Sequence, residues 1–277
     1  MPRSRRSTGR SKELPPTGIE RIDSWLPEKA CSIEQYLGAV SEYVRRSRQL
    51  TAGPKKAGQI RLSTMLGRAL AGELRQRLLQ FKHGIVGERK VAGALRSVNA
   101  DVSEIHPIDG LRLAIELKPV NLAVGRAIWN RFGDIRTFAV NIHLKFPFCV
   151  VGGVLVIPTY EVAGTREAAE ADAQELAAAE GVDPTSLDIG EAAPIAGAGP
   201  RRRDTRPLIN RAVTRLIRAG GRRTEADAPH LLEGIAVVVY DPDGGSLDPK
   251  LPPLGSGLRW SEFVDALVTA YESRFED

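Results

Sequence analysis

The hydrophobic residues of this 277-residue chain recur with two different periods, and the change of period divides the chain. Between about residues 19 and 80 the apolar positions repeat every three to four residues, which is typical of amphipathic helices. Ser32 and Gln35 resemble a capping box at the start of one helix, and Gly53-Pro54 predicts a break after it. A second helix is predicted over residues 62–79, with one buried row of leucines: Leu62, Leu66, Leu70, Leu74 and Leu78.

Beyond about residue 84, strand and helix patterns alternate. The patterns predict helices over residues 86–98, 123–138, 207–219 and 261–275, a strand pair within 102–118, and apolar strands over 149–157 and 235–240. Such alternation indicates an α/β (α+β) fold, with a mixed central sheet flanked by helices and an N-terminal helical region.

Composition divides the chain further. Residues 1–18 are predicted to be a disordered basic arm, residues 19–83 the helical N-terminal region, and residues 84–277 the core. Within the core, the Ala-, Glu-, Gly- and Pro-rich stretch 164–203 predicts an exposed acidic helix and a flexible loop.

The overall composition excludes several classes of protein. A chain with 42% hydrophobic and 26% charged residues has the composition of a soluble globular protein. Its longest apolar run, residues 148–158, is too short to span a bilayer. Cys31 and Cys149 are far apart and have no ligand-spaced neighbours, so neither a disulfide framework nor a zinc site is expected. We therefore expect a cytoplasmic protein.

The charge of the chain is unevenly distributed. Residues 1–100 contain 20 Lys and Arg against 8 Asp and Glu, although the whole chain carries a net charge of only +5. A nucleic-acid partner favours such an asymmetry, because each neutralised phosphate releases counterions. Solvated basic helix faces that keep the protein soluble are the alternative explanation.

The most informative local pattern lies in residues 109–118. Strict alternation places Leu111, Leu113, Ile115 and Leu117 on one face of a strand and Arg112, Ala114, Glu116 and Lys118 on the other. The turn-forming pair Asp109-Gly110 precedes the strand, and we expect it to fold the Asp109 carboxylate back toward Glu116. Two converging carboxylates form a hard oxygen site suited to Mg²⁺. The alternative is an edge strand with a solvated polar face.

Pro107, Asp109, Glu116 and Lys118 together resemble the motif of the PD-(D/E)xK nuclease superfamily, which includes many type II restriction endonucleases. The chain departs from that motif by one residue, Ile108, inserted between the proline and the aspartate. The resemblance covers about residues 84–157 and implies a restriction-endonuclease-like core. It implies that Asp109, Glu116 and the Leu117 carbonyl bind Mg²⁺, and that cleavage leaves a 5′-phosphate and a 3′-hydroxyl. It also implies that Lys118 orients and deprotonates the attacking water or stabilises the transition-state charge.

Glu88 is a further candidate by the same resemblance, as a catalytic acid on the helix that precedes the sheet. It begins a second Glu-x-Lys triplet, Glu88-Arg89-Lys90, which lies in the predicted helix rather than in a strand. The alternative for Glu88 is a surface residue paired with Arg89 or Lys90. Glu104, on the preceding strand, is another acid that could approach the metal.

Candidate DNA contacts lie on two predicted helices: Arg126, Asn130 and Arg131 on the first, and Arg211 and Arg215 on the second. Each also fits an ordinary solvated helix face. The predicted function is that of a Mg²⁺-dependent, site-specific double-stranded DNA endonuclease of the type II restriction class, acting as a homodimer because two strands require two active sites. The alternatives are a repair or recombination nuclease on the same core, a non-catalytic DNA-binding protein, or a structural protein.

Overall fold

The computed structural model describes residues 22–47, 50–78, 84–120, 124–162, 192–193 and 202–275. The helices in these segments are α1 (Ile33–Arg46), α2 (Ala52–Arg77), α3 (Val124–His143), α4 (Arg206–Leu216) and α5 (Trp260–Phe275). The strands are β1 (Ile85–Val86), β2 (Arg89–Ala92), β3 (Ser97–Ala100), β4 (Val102–His106), β5 (Gly110–Pro119), β6 (Val150–Pro158), β7 (Tyr160–Val162), β8 (Ala192–Ala193), β9 (Arg202–Asp204), β10 (Gly234–Asp241) and β11 (Ser246–Leu247). The predicted basic arm and most of the predicted acidic helix and loop lie outside the described residues.

A six-stranded mixed sheet forms the centre of the fold, with the order β1-β4-β5-β6-β10-β11. Strands β5, β6 and β10 run parallel to one another, whereas β4 is antiparallel to β5 and β11 is antiparallel to β10. Two small sheets accompany it, the hairpin β2–β3 and the three-stranded sheet β7-β9-β8. This mixed sheet with flanking helices confirms the predicted α/β (α+β) class.

Helices cover both faces of the sheet. Side chains of α1, α2 and α5 form one apolar cluster with what we call the α5 face of the sheet. Side chains of α3 and α4 form a second cluster with the opposite face, the α3 face. The predicted leucine row of α2 is fully buried, and it belongs to the cluster on the α5 face. None of the helices in the described segments is long and apolar enough to cross a membrane.

Two consecutive glycines let helices approach β6 closely from both faces. A Cβ atom at Gly153 would lie 2.5 Å from the Ile135 side chain of α3. A Cβ atom at Gly152 would lie 3.1 Å from the Phe263 ring of α5. The α3 helix therefore packs directly on the strand beside β5, and this contact fixes the position of α3 relative to the candidate site.

The helix predicted over residues 86–98 is wrong, because this stretch forms β1 and the hairpin β2–β3. The N–H of Gly93 donates to the Arg96 carbonyl at 3.1 Å and closes a tight turn. Val91 and Val98 pair directly across the hairpin. The local pattern resembles a helix, but the turn at Gly93 and cross-strand pairing determine the structure.

The second helix, α2, begins at Ala52, so the prediction that it begins near residue 62 is wrong. Pro54 is accommodated in its first turn, where backbone N–H groups have no intrahelical partner. Three α2 arginines bond to backbone carbonyls outside the helix. Arg61 donates to Leu26, Arg68 to Glu28 and Arg75 to Ile85.

Candidate active site

A β-bulge in β5 changes which side chains share a face. In the pairing with β4, Leu111 lies opposite Ile105 and Leu113 lies opposite Glu104. Arg112 is therefore an extra residue in β5, and the strict alternation expected from the sequence is interrupted there.

The bulge separates Arg112 from the acidic motif. Its guanidinium lies on the α5 face, 4.9 Å from the centre of the Phe275 ring. Glu116 and Lys118 lie on the α3 face, where they line a cleft with α3. The predicted common face of Glu116 and Lys118 is thus found in the structure, but two parts of the predicted alternation are wrong. Arg112 does not share that face, and Leu111 lies on the α3 face instead of with Leu113 on the α5 face.

Asp101 is a carboxylate close to Glu116. The β4–β5 ladder ends at the pair Val102–Ile115, directly after Asp101 in the chain. Two hydrogen bonds hold Asp101 against β5: its N–H donates to the Ile115 carbonyl at 2.9 Å, and its Oδ2 accepts from the Leu117 N–H at 2.7 Å. The Asp101 carboxylate therefore lies beside the backbone of Leu117, the residue between Glu116 and Lys118, and its charge raises the pKa of Glu116.

Asp109, by contrast, lies at the far end of β5. It precedes Glu116 by seven residues, which is about 23 Å of strand at about 3.3 Å per residue. Its carboxylate accepts from Nε of Arg112 at 2.8 Å and lies 3.1 Å from Nδ1 of His106. The hydrogen bond from Arg112 lowers the pKa of Asp109 below its ordinary value. The expectation that Asp109 folds back toward Glu116 is therefore wrong.

Burial perturbs the electrostatics of Glu116. Desolvation raises the pKa of the Glu116 carboxyl to about 7, and the Asp101 and Asp134 carboxylates act in the same direction. Lys118 opposes the rise, because its ammonium group is in direct contact with Oε1 of Glu116. The side chain of Glu116 is only 12% exposed. A carboxyl whose pKa is raised toward 7 by burial and by nearby carboxylates is typical of functional sites.

Asp101 is perturbed in the same direction. Burial raises its pKa, and the nearby charge of Glu88 raises it further, while the Leu117 N–H and Lys118 lower it. Glu88 lies in the turn before β2, where its Oε1 accepts from Nδ2 of Asn99 at 2.9 Å. Glu88 therefore approaches the site from a turn and not from a helix.

Glu104 does not belong to this group of carboxylates. It lies on the α5 face, where it is buried and accepts a hydrogen bond from the Tyr271 hydroxyl at 3.1 Å. The sheet separates it from Glu116. Glu104 therefore cannot be a ligand of a metal bound at Glu116, although its position in the sequence allowed that role.

The site opens into a cleft of about 620 Å³ between β5, the β2–β3 hairpin and α3. Its polar lining comprises Arg96, Ser97, Asn99, Glu116, Lys118, Asp134, Thr137 and Asn141. This size is within the range of ligand pockets, about 300–1,000 Å³. The cleft therefore offers room for a phosphate group beside Glu116 and Lys118, and Asp101 lies next to it without lining it.

Asn141 of α3 fastens the hairpin that forms one wall of the cleft. Its Oδ1 accepts from the N–H of Leu95 at 2.7 Å and of Arg96 at 3.2 Å, and its Nδ2 donates to the Arg96 carbonyl at 2.8 Å. Asn141 is 1% exposed. One buried side-chain amide thus provides hydrogen-bond partners for the backbone of the turn between β2 and β3, and it attaches that turn to α3.

We expect Asn141→Ala to lower the free energy of unfolding by about 1–3 kcal/mol, because it leaves buried hydrogen-bonding groups without partners. Urea unfolding followed by circular dichroism measures this effect. The exposed Asn210 of α4 provides a matched control, and Asn210→Ala should change stability very little. Equal stability of the two variants would contradict the assigned role of Asn141.

The donor set fits a hard divalent cation. Asp101 and Glu116 present carboxylate oxygens that burial and mutual repulsion disfavour in the ionised form, and a cation between them relieves this cost. The Leu117 carbonyl lies on the same side of β5 as its N–H, toward Asp101, where no described strand pairs with it. Among the described residues no three His, Cys, Asp or Glu side chains are grouped to hold a metal by themselves. A cation here would therefore need water and a substrate oxygen as further ligands.

The raised pKa of Glu116 predicts a pH-dependent stability. The pKa is about 7 in the folded protein and about 4.3 in an unfolded chain, so the stability of the wild type falls as pH rises from about 4 through 7. Glu116→Gln imitates the protonated form, and we expect it to be more stable than the wild type at pH 8, by on the order of 3 kcal/mol, and nearly equal at pH 4. Urea unfolding at both pH values measures the difference. A pH-independent difference would contradict the assignment.

The five predicted DNA contacts are dispersed. Arg126, Asn130 and Arg131 lie on α3, but the side chain of Arg126 is outside the described atoms; Arg131 forms an ion pair with Asp134 at 3.1 Å. Arg211 and Arg215 lie on α4. Arg215 lies over the Trp129 ring at 5.0 Å, away from the cleft. None of the five is among the residues that line the cleft.

Comparisons with known proteins do not add to this description. No family model, no curated protein and no solved structure matches the chain.

Proposed function

We propose that the chain is a Mg²⁺-dependent DNA endonuclease whose active site is formed by Asp101, Glu116 and Lys118. One observation carries the proposal: the Asp101 carboxylate accepts from the N–H of Leu117, the residue between Glu116 and Lys118, and Glu116 and Lys118 both line the cleft. Two carboxylates and one ammonium group at a concave surface match the requirements of metal-assisted phosphodiester hydrolysis. The resemblance to the PD-(D/E)xK superfamily is retained with Asp101 in place of Asp109.

Each residue has a distinct task in this proposal. Asp101 and Glu116 hold the cation with the Leu117 carbonyl, and a bound Mg²⁺ supplies Lewis-acid polarisation of a phosphoryl oxygen and lowers the pKa of water. Lys118 contacts Glu116 and orients the attacking water or neutralises charge that develops on the phosphate. Glu88, near Asp101, adds negative charge that strengthens cation binding.

The substrate in this proposal is double-stranded DNA cut at specific sites, as in type II restriction enzymes, with a 5′-phosphate and a 3′-hydroxyl as product ends. One such site cuts one strand, so cutting both strands at one position calls for a homodimer. Sedimentation in the presence of a duplex measures this stoichiometry, and a 1:1 complex that cuts both strands would contradict it.

Incubation of phage DNA with the protein tests the function. With Mg²⁺ we expect discrete fragments, and with EDTA we expect intact DNA. Fragments of constant size across protein concentrations support site-specific cleavage, whereas a smear shows a nuclease without sequence preference. Plasmid and bacterial genomic DNA serve as further substrates. If all three kinds of DNA stay intact with Mg²⁺ as well as with EDTA, the proposed function is contradicted.

A further inference from the structure

A second concave surface lies on the other flank of α3, and it is basic and aromatic. It is a groove of about 430 Å³ between α3 and the end of α4, which we call the α3–α4 groove. Its lining includes Trp129, Phe132, Arg136, Arg215, Arg218 and His230. No carboxylate is among the described side chains that line it. Such a lining favours an anionic ligand.

Aromatic rings support two of the guanidinium groups in the groove. The Arg215 guanidinium lies 5.0 Å from the centre of the Trp129 ring, and that of Arg136 lies 5.8 Å from the Phe132 ring. These contacts are within the range of cation–π interactions and restrict where the guanidinium groups lie. A planar guanidinium with restricted motion is well suited to bind phosphate oxygens.

The groove adjoins the cleft of the candidate active site across a single helix. Gly133 and Arg136 of α3 line the groove, whereas their immediate neighbours Asp134 and Thr137 line the cleft. An α-helix is about 10–12 Å wide, which corresponds to about three nucleotides at 3.4 Å per nucleotide along one strand. At Gly133 the ridge between the two sites has no side chain, and a Cβ atom there would meet nothing within 4 Å.

We propose that the α3–α4 groove binds the phosphodiester backbone of the DNA strand whose scissile phosphate lies in the cleft. This inference rests on the proposed nuclease function, because it takes DNA as the substrate. The strand leaves the cleft, crosses α3 at Gly133 and places its next phosphates against Arg136 and Arg218. Contacts of this kind position the substrate independently of base sequence.

DNA binding without catalysis tests this proposal. Binding of a fluorescent 20-bp duplex is measured by anisotropy in EDTA at several salt concentrations, with the Glu116→Gln protein as background. We expect Arg136→Gln/Arg218→Gln to weaken binding of unrelated sequences equally and to reduce the slope of log K against log salt by about 2, or about 1 for each phosphate that is no longer neutralised. Arg45→Gln, at an exposed residue of α1, is the matched control and should leave both quantities unchanged. Circular dichroism verifies that all variants are folded.

The outcomes separate this proposal from the proposed function. If the double variant binds with wild-type affinity and salt slope, the groove assignment is overturned, even if the wild type cleaves DNA. If binding falls as expected but the wild type never cleaves, the groove is a DNA-binding surface and the nuclease proposal fails. Inorganic phosphate at the concentration of the DNA phosphates should not displace the duplex. Displacement would show a site for free anions and would overturn the assignment to DNA.

Discussion

Asp101→Asn is expected to abolish Mg²⁺-dependent DNA cleavage, whereas Asp109→Asn is expected to cleave at close to the wild-type rate. Asp101 bonds to the Leu117 N–H, next to Glu116, and is a proposed cation ligand. Asp109 is bonded to Arg112 at the other end of β5. Loss of a metal ligand removes several kcal/mol of transition-state stabilisation, and this corresponds to a rate decrease on the order of 10³-fold or more.

The two variants form a matched pair, since each replaces a carboxylate by its isosteric amide. Single-turnover cleavage of a plasmid with saturating protein measures the chemical step, and anisotropy confirms that both variants still bind DNA. Cleavage retained by Asp101→Asn and lost in Asp109→Asn would move the active site to the turn that follows β4.

Lys118→Met should lower the cleavage rate by about 10²–10³-fold, as removal of one transition-state donor does elsewhere. Lys118 also lowers the pKa of Glu116, so the variant loses a partner of a proposed metal ligand as well. Measurement at pH 9 separates the two effects, because a higher pH favours ionised Glu116 in the variant but cannot replace the lost ammonium group. We expect the loss to persist at pH 9.

The second Glu-x-Lys triplet supplies the control for Lys118. Lys90 lies on β2 and is exposed, and Lys90→Met with saturating DNA should keep the wild-type rate. A rate for Lys118→Met that recovers fully at pH 9 would show that Lys118 acts only by ionising Glu116.

The class of the fold was predictable because its main elements carry strong periodic patterns. The leucine row of α2 and the apolar runs of β6 and β10 determine their own structure through burial. The stretch 86–98 was mispredicted because short apolar spacings do not separate a hairpin from a helix. Its structure depends on partners distant in sequence, such as Asn141, whose amide bonds to the turn.

The candidate site was only half predictable from the sequence. Glu116 and Lys118 share a face because residues two apart on a strand always do. Asp101 was missed because its place depends on the bulge at Arg112. The turn pairs His106 with Gly110, and a regular hairpin from there would place Ala100 opposite Glu116. One extra residue in β5 shifts the register by one residue, and Asp101 is the residue whose carboxylate bonds to the backbone next to Glu116.

The Asp109-Gly110 turn was misleading for a related reason. An Asp in a turn just before a strand suggests that its carboxylate lies close to an acidic residue of that strand. Here the length of β5 between Asp109 and Glu116 keeps the two carboxylates apart. Arg112, displaced to the α5 face by the bulge, remains close enough to bind Asp109. The local motif could not reveal this without the pairing of β4 with β5.

The location of a bound metal shows whether Asp101 and Glu116, and not Asp109, form the metal site. Mn²⁺ takes the same oxygen ligands as Mg²⁺, and its anomalous scattering identifies its position in crystals of the wild-type protein grown with a DNA duplex. We expect an anomalous-scattering peak between the carboxylates of Asp101 and Glu116, at about 2.0–2.6 Å from an oxygen of each. A peak at Asp109, or no peak beside Glu116 in protein that retains Mn²⁺-dependent cleavage, would contradict this expectation.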